Sequence, residues 1–120
     1  MNVEEFRLFC LERDGVEECF PFDQSTLVFK VYGKMFALCG LDNARFSVNL
    51  KCDPEYAEEL REKFGSVQPG YHMNKKHWNT VYLDEGEIND SLAKDLILHS
   101  YDLVFASISK KIKDQIKLNK

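Results

Sequence analysis

The sequence predicts an α+β fold, a two-layer sandwich in which helices flank one face of an antiparallel sheet. Its 120 residues, 44% of them hydrophobic, suit one domain with a sizeable core. In some segments apolar residues recur at every second position, as in strands, and in others at every third or fourth, as in helices. Tight turns join the strand-like segments. The predicted order in this single domain (residues 1–120) is one helix, three or four strands, a helix, two strands and a helix.

The first predicted element is a helix from Asn2 to about Arg13. Its apolar side chains recur at helical spacing, and the Asn2 side chain can accept hydrogen bonds from the open amides of the first turn. An Asp-Gly turn ends this helix. A short strand is predicted over Val16–Phe20, which Pro21 ends or confines to an edge because proline has no amide hydrogen.

Three alternating segments follow, over Thr26–Tyr32, Met35–Leu41 and Arg45–Lys51. The first two are joined by a glycine turn, which predicts a hairpin. The third places apolar side chains at every second position and polar ones between them, two of which are cationic. Each strand is therefore expected to turn one face to the core and the other away from it.

A second helix is predicted to begin at Asp53, which can cap it, with Pro54 in the first helical position. Gly65 ends this helix. The remaining elements are predicted as strands over Val67–Pro69 and His77–Leu83 and a last helix from Asn89 or Asp90 to about Ile116.

The formal net charge of −4 argues against a generally cationic nucleic-acid binder, but the charge is segregated along the chain. Residues 26–51, 70–83 and 108–120 carry net charges of +3, +2 and +4, and the segments between them are acidic. The basic segments contain the predicted strands and the tail. This pattern predicts a basic sheet surface and acidic helices, with chance clustering on a solvated surface as the alternative.

The cysteine pattern and the hydropathy predict a cytoplasmic protein with no membrane partner. Acidic residues occupy the start of the chain where a signal peptide needs basic ones, and the longest apolar run, about Met35–Cys39, is far too short to span a bilayer. The four cysteines are not spaced as a zinc ribbon or a CxxC pair. We expect reduced thiols, no metal site and no cofactor.

One segment, residues 69–81 (PGYHMNKKHWNTV), concentrates two His, two Lys, two Asn, a Tyr and the only Trp in thirteen positions without an acid. Together with residues 50–55 (LKCDPE) and 100–104 (SYDLV), it resembles the bacterial MmcQ/YjbR family over essentially the whole chain. The resemblance implies a CyaY-like or type III secretion chaperone-like fold. That family is commonly labelled DNA-binding, through a double-wing motif.

The resemblance also implies a set of functional residues. Its signature patch in this chain comprises Lys51, Tyr71, His72, Met73, Asn74, Lys75, His77, Trp78 and Asn79, and the last-helix pattern matches Ser100 and Tyr101. With two cations from the neighbouring strands, Lys30 and Arg45, and with Lys76 added, the candidate nucleic-acid-binding residues are Lys30, Arg45, Lys51, Tyr71, His72, Asn74, Lys75, Lys76, His77, Trp78 and Asn79. The lysines and Arg45 are expected to contact phosphates, and the aromatic side chains to stack or wedge.

Each of these residue types also has an ordinary structural interpretation. Trp78 can be core, because a sheet residue of this size usually packs. The spacing of His72 and His77 does not fit the helical zinc pair, so both can hydrogen-bond to the loop backbone. Paired lysines in a loop are usually only solvated charges. The asparagines can stabilise the turn through hydrogen bonds to the backbone.

Two functions from different classes remain open. The first is weak, largely sequence-independent DNA binding, and the second is a chaperone-like module that binds a protein or peptide on its open sheet face. No P-loop, GxSxG, GxGxxG or HExxH motif is present, so we predict binding and not enzymatic activity. A Cys52 nucleophile would need a histidine partner. The expected oligomeric state is a monomer or weak homodimer.

Overall fold

The computed structural model describes residues 1–71, 73–108, 110 and 112–114. Within them the chain forms three main helices, α1 (Val3–Leu11), α2 (Pro54–Lys63) and α3 (Asp90–Ser107). It also forms six strands, β1 (Val16–Cys19), β2 (Thr26–Val31), β3 (Lys34–Gly40), β4 (Ser47–Lys51), β5 (Val67–Pro69) and β6 (Trp78–Tyr82). The order of elements is the predicted one, with four strands before α2.

The six strands form one antiparallel open sheet in the order β1-β2-β3-β4-β6-β5. The helices pack on one of its sides, which confirms the predicted α+β sandwich. The other side, called the open face below, is not covered by a helix of the described chain. Because side chains alternate along a strand, each strand contributes one set of residues to the core and another to the open face.

The main core lies between the helices and the sheet. Phe6 of α1 meets Phe29 of β2 edge to face, with ring centroids 5.4 Å apart, and Ile97 of α3 is fully buried in the same cluster. Aromatic side chains of this size each bury a large apolar area, so they dominate the stability of the core. The period-two pattern of β2 and β4 correctly predicted which of their residues enter this cluster.

Side-chain caps begin the three helices where the sequence predicted them. The Asn2 side chain accepts from the backbone amide of Glu5, whose own side chain accepts from the Asn2 amide in return. Asp53 accepts from the amide of Tyr56, and Asn89 from that of Leu92. Each cap accepts a hydrogen bond from a first-turn backbone amide that has no acceptor within the helix.

The end of the last helix differs from the prediction. Helix α3 ends at Ser107, because Ile108 takes an extended backbone conformation and its side chain is buried in the core. Residues 110 and 112–114 are helical again beyond this break. Ile112, predicted to continue the apolar face, is 44% exposed. Ile116 lies outside the described residues. In the part of the chain that the structure describes, every helix is too short or too polar to cross a membrane.

Candidate functional site

The open face is organised in three rows of side chains that run across the strands. The central row consists of Val28, Leu38, Asn49 and Thr80, which are opposite one another in the register. One step along the strands lies a second row, called the basic row, which consists of Lys30, Met35, Lys51 and Trp78. A step in the other direction lies the polar row, which consists of Thr26, Gly40, Ser47 and Tyr82.

Residues 70, 71 and 73–77, called the signature loop, fold over the end of the open face next to the basic row. The Gly70 amide donates to the Trp78 carbonyl at 2.8 Å, and Met73 packs against the Trp78 side chain. A Cβ at Gly70 would lie 2.8 Å from the Trp78 Cβ, so only glycine lets the loop approach this closely. The Asn74 side-chain oxygen accepts from the Lys76 amide at 2.9 Å, as the turn interpretation predicted.

Arg61 of α2 holds the signature loop from the opposite side of the sheet. Its Nε donates to Asn79 Oδ1 at 2.7 Å, and its Nη2 donates to the carbonyls of Trp78, at 3.2 Å, and Lys75. One guanidinium thus joins the second helix, the loop and the start of β6. Arg61 is not among the predicted site residues, because its neighbours in the sequence do not distinguish it from the other charged residues of an amphipathic helix.

A groove runs over the middle of the open face, formed by two adjoining depressions of about 350 and 470 Å³. Leu38, Gly40 and Asn49 line both depressions. Two strongly exposed aromatic side chains border it, Phe22 from the loop between β1 and β2 and Tyr71 from the signature loop. Tyr71 is one of the predicted candidate residues, whereas Phe22 is not, because its loop has no motif.

The predicted cations differ in what surrounds them. Lys75 and Lys76 are exposed on the signature loop, and Lys51 and Lys30 lie in the basic row, with Glu17 opposite Lys30 on β1. The three helices contain nine acidic and four basic side chains, so negative charge concentrates on the other side of the sheet. The lysines therefore give the open face a positive end.

Arg45 is already paired with acids, unlike the lysines. Its guanidinium donates to both Asp84 oxygens, at 2.9 and 3.1 Å, and to Glu85 at 2.6 Å, and it stacks over the Tyr82 ring at 4.1 Å. This contact holds the pKa of the Asp84 carboxyl below its ordinary value. With two carboxylates on one guanidinium, Arg45 does not supply the spare positive charge expected of a phosphate contact.

The comparison with known proteins supports the resemblance on which the candidate residues rest. The YjbR family model matches residues 11–103. The chain belongs to the YjbR family. It is 39% identical over 114 residues to the uncharacterised protein YbdF of Escherichia coli O157:H7, covering 95% of this chain and 93% of that protein. It is 38% identical over 101 residues to the uncharacterised protein YjbR of Escherichia coli K12, covering 84% and 85%.

Solved structures give the same result. The crystal structure of Deinococcus radiodurans protein DR2400, with its DUF419 domain, matches with a TM-score of 0.88 and 40% identity, covering 97% of this chain and 88% of that one. A Pseudomonas syringae protein matches with a TM-score of 0.72 and 28% identity, covering 86% and 98%. These matches do not support the predicted CyaY-like or type III secretion chaperone-like relationship.

Several signature residues of this YjbR-family chain are structural parts of the site. Trp78 is only 9% exposed and packs with Val28 and Leu38 on the open face, which fits its interpretation as a packed residue. Asn79 is 2% exposed and points to Arg61 on the helix side. The His77 carbonyl accepts from the Cys52 amide at 2.8 Å. His72 lies outside the described residues.

The last-helix part of the signature joins α3 to the sheet. The Ser100 hydroxyl, fully buried, donates to the Phe36 carbonyl at 2.5 Å and accepts from the Lys51 amide at 2.9 Å. Strands β3 and β4 are paired as far as Ala37 and Leu50, and the Ser100 hydroxyl connects the two strands just beyond that pair. The neighbouring Tyr101 packs against the core and donates its hydroxyl to a backbone carbonyl, so both residues are structural.

The environments of Cys52 and His99 show how two potentially reactive side chains are held. Burial raises the pKa of the Cys52 thiol to about 11, with the Asp53 carboxylate adding to the shift, so this thiol stays protonated at neutral pH. The His99 ring accepts from the Asp53 amide at 3.1 Å through its Nε2. The described residues contain no group of three His, Cys, Asp or Glu side chains that could hold a metal ion.

Proposed function

We propose that this YjbR-family chain binds nucleic acid on the open face of its sheet, mainly through phosphate contacts with little sequence preference. The observation that supports the proposal is the positive end of that face, where Lys51 lies opposite Trp78 and Lys75 and Lys76 are exposed on the loop that leads into it. Among the described residues none of these three lysines forms an ion pair. Their charge is therefore available to a phosphate backbone.

The net charge of −4 does not oppose this proposal, because the three helices carry a net charge of −5 and the rest of the chain carries +1. Exposed charges more than about 10 Å apart are largely screened at ordinary salt concentrations. A nucleic acid on the open face would therefore interact mostly with the lysines next to it. The acidic helices would favour one orientation of the protein on the strand.

Salt dependence of binding tests the proposal. Fluorescence anisotropy with labelled DNA at about 50 and 150 mM salt should give micromolar affinity that falls steeply with salt. The variant Lys75→Ala/Lys76→Ala should bind more weakly and lower the slope of log K against log salt by about one to two. Lys94→Ala, on the helix side, is the matched control and should leave the slope unchanged. No binding at the lower salt, or an unchanged slope in the double variant, would overturn the proposal.

A protein or peptide partner is the second candidate, and the exposed apolar side chains favour it. Phe20, Phe22, Leu41 and Tyr71 are large, exposed and carried by loops between strands, and Phe22 and Tyr71 border the groove of the open face. Exposed apolar patches often mark interaction sites. Titration with a hydrophobic dye, together with the mass in solution, tests this candidate and the expected monomer or weak homodimer. A monomer that does not bind the dye would contradict it.

We further propose that the chain acts in the cytoplasm and by binding. All four cysteines are free thiols, which is typical of a reducing compartment. The raised pKa of Cys52 is the opposite of what a nucleophilic cysteine needs. Fractionation of cells that produce the protein tests its location, and recovery with the membrane fraction would contradict it.

A further inference from the structure

Two exposed aromatic side chains reach over the groove from opposite edges of the sheet. Phe22, on the loop that joins β1 to β2, is 64% exposed, and Tyr71, on the signature loop between β5 and β6, is 70% exposed. Both line the depression of about 470 Å³ that lies over β3 and β4. Rings this exposed contribute little to the core, but each offers a flat face to a planar ligand.

The floor of the groove between these rings carries uncharged amides. Gly40 leaves room for the Asn43 side chain, because a Cβ there would lie 2.5 Å from Asn43 Nδ2. Asn49 Oδ1 accepts from the Thr80 hydroxyl at 2.5 Å, and the Tyr71 amide donates to that hydroxyl at 3.0 Å. Carboxamides both donate and accept, so they suit the hydrogen-bonding edges of nucleobases.

Charge differs between the two ends of the groove. Asp23 lines the end next to the polar row, and amide donation from Ser25 and Thr26 holds its pKa below the ordinary value, so it is ionised at neutral pH. Lys51 and Lys30 lie in the basic row, one step of about 7 Å beyond the central row. A ligand with a planar polar part and a phosphate can therefore lie with its phosphate over the lysines and its planar part in the groove.

We propose that this groove takes unpaired nucleobases, stacked against Tyr71 and Phe22, so that single-stranded nucleic acid binds more tightly than duplex. This inference rests on the proposed function and adds the form of nucleic acid that is recognised. In a duplex both faces of each base are covered by its neighbours, so these rings can stack only on bases that are not in a helix. The lysines of the basic row hold the backbone of the same strand.

The test compares single-stranded and duplex DNA on ring variants. Fluorescence anisotropy uses labelled oligothymidylate of about 12 nucleotides and a duplex of the same length, at about 50 mM salt. We expect the single strand to bind about 10-fold more tightly than the duplex, and Tyr71→Ala and Phe22→Ala each to weaken its binding about 10-fold. Tyr71→Phe keeps the ring and should bind as the wild type does. Phe20→Ala removes an exposed ring that does not line the groove and is the matched control.

The outcomes separate this inference from the proposed function. Equal affinities for single strand and duplex, with no effect of Tyr71→Ala or Phe22→Ala, would overturn the inference and leave phosphate binding in place. The inference would also be overturned if Phe20→Ala weakened binding as much as the two groove variants do. Stacking in the groove would then not be the cause of the lost affinity. No binding of either form of DNA would overturn both proposals, and dye binding lost in Tyr71→Ala would then favour a peptide.

Discussion

Arg61 is the residue whose replacement tests most directly how the signature loop is held. Its guanidinium reaches from α2 to three neutral acceptors, the Asn79 side chain and the carbonyls of Lys75 and Trp78. Arg61→Met keeps a long apolar side chain against the sheet but removes all three hydrogen bonds. We expect this variant to fold and to be less stable than the wild type.

The expected loss is about 2–3 kcal/mol in the free energy of unfolding. A buried acceptor left without its donor costs about 1–3 kcal/mol, and Asn79 is 2% exposed. Rotating the Asn79 carboxamide would not restore a hydrogen bond. Its Nδ2 already lacks a partner among the described residues, so exchanging the two positions leaves the oxygen without a donor. The two carbonyls lie nearer the surface and can exchange the guanidinium for water, so they add about 1 kcal/mol or less.

Urea unfolding followed by the fluorescence of Trp78, the only tryptophan, measures this loss. With a slope of about 2 kcal/mol per molar urea, the midpoint should fall by about 1–1.5 M. Lys63→Met is the matched control on the same helix and should change stability by less than about 0.5 kcal/mol. Arg61→Lys should recover little, because an ammonium group does not match the planar fork that serves three acceptors.

Two results would refute this reasoning. If Arg61→Met costs less than about 1 kcal/mol, the three hydrogen bonds do not hold the loop. If Arg61→Lys is as stable as the wild type, positive charge near the loop is sufficient and the geometry of the guanidinium does not matter.

Other perturbations probe the helix–sheet contact, an ion pair and the thiols. Ser100→Ala leaves a β3 carbonyl and a β4 amide unbridged and should cost about 2 kcal/mol in urea unfolding. Arg7 lowers the pKa of Glu18, so the stability that this pair provides is present above the ordinary glutamate pKa of 4.5 and is lost as pH falls through the lower folded value. Between about pH 6 and pH 3 the melting temperature should fall less steeply with pH in Glu18→Gln than in the wild type. Iodoacetamide at about pH 8 should label the half-buried Cys19 before the buried Cys52, as read by mass spectrometry.

Each of these expectations has a result that contradicts it. Ser107→Ala, which removes an exposed hydroxyl from the same helix, should be nearly neutral, and an equal loss in both serine variants would rule out the buried bridge as the cause. If the melting temperature of Glu18→Gln falls with pH in parallel with that of the wild type, the ion pair does not contribute to the pH dependence of stability. First labelling at Cys52 would mean that its thiol is more accessible than its burial allows.

Local signals in the sequence correctly predicted most of the fold. Asn2 and Asp53 marked two helix starts, and the third was narrowed to Asn89 or Asp90, because a cap acts on amides only two or three residues away. The alternation in β2 and β4 assigned their core residues because the pleat of a strand has a period of two. The last helix was predicted as one element to about Ile116, but α3 ends at Ser107 because Ile108 is extended, and residues 110 and 112–114 are helical only beyond that break.

The candidate site was predictable only in part. The concentration of polar and aromatic residues in the signature loop pointed to the right segment, and the family resemblance named it. Nothing in that segment reveals that Asn79 turns inward to Arg61, or that a glycine lets the loop close over Trp78. The first depends on a contact between α2 and β6, whose residues are 18 positions apart in the chain, and the second on the path by which the loop returns to the start of β6.

Caps and periodicity act between residues a few positions apart, so the order of the elements, the helix starts and the faces of the strands could be read from the amino-acid sequence. The folded arrangement, by contrast, sets which cations remain available. Arg45 meets Asp84 across 39 positions of the chain, whereas Lys75 and Lys76 meet no acid among the described residues. The fold also places Phe22 and Tyr71 at the border of one groove. These arrangements follow from strand order and register, which bring together residues with no local relation in the sequence.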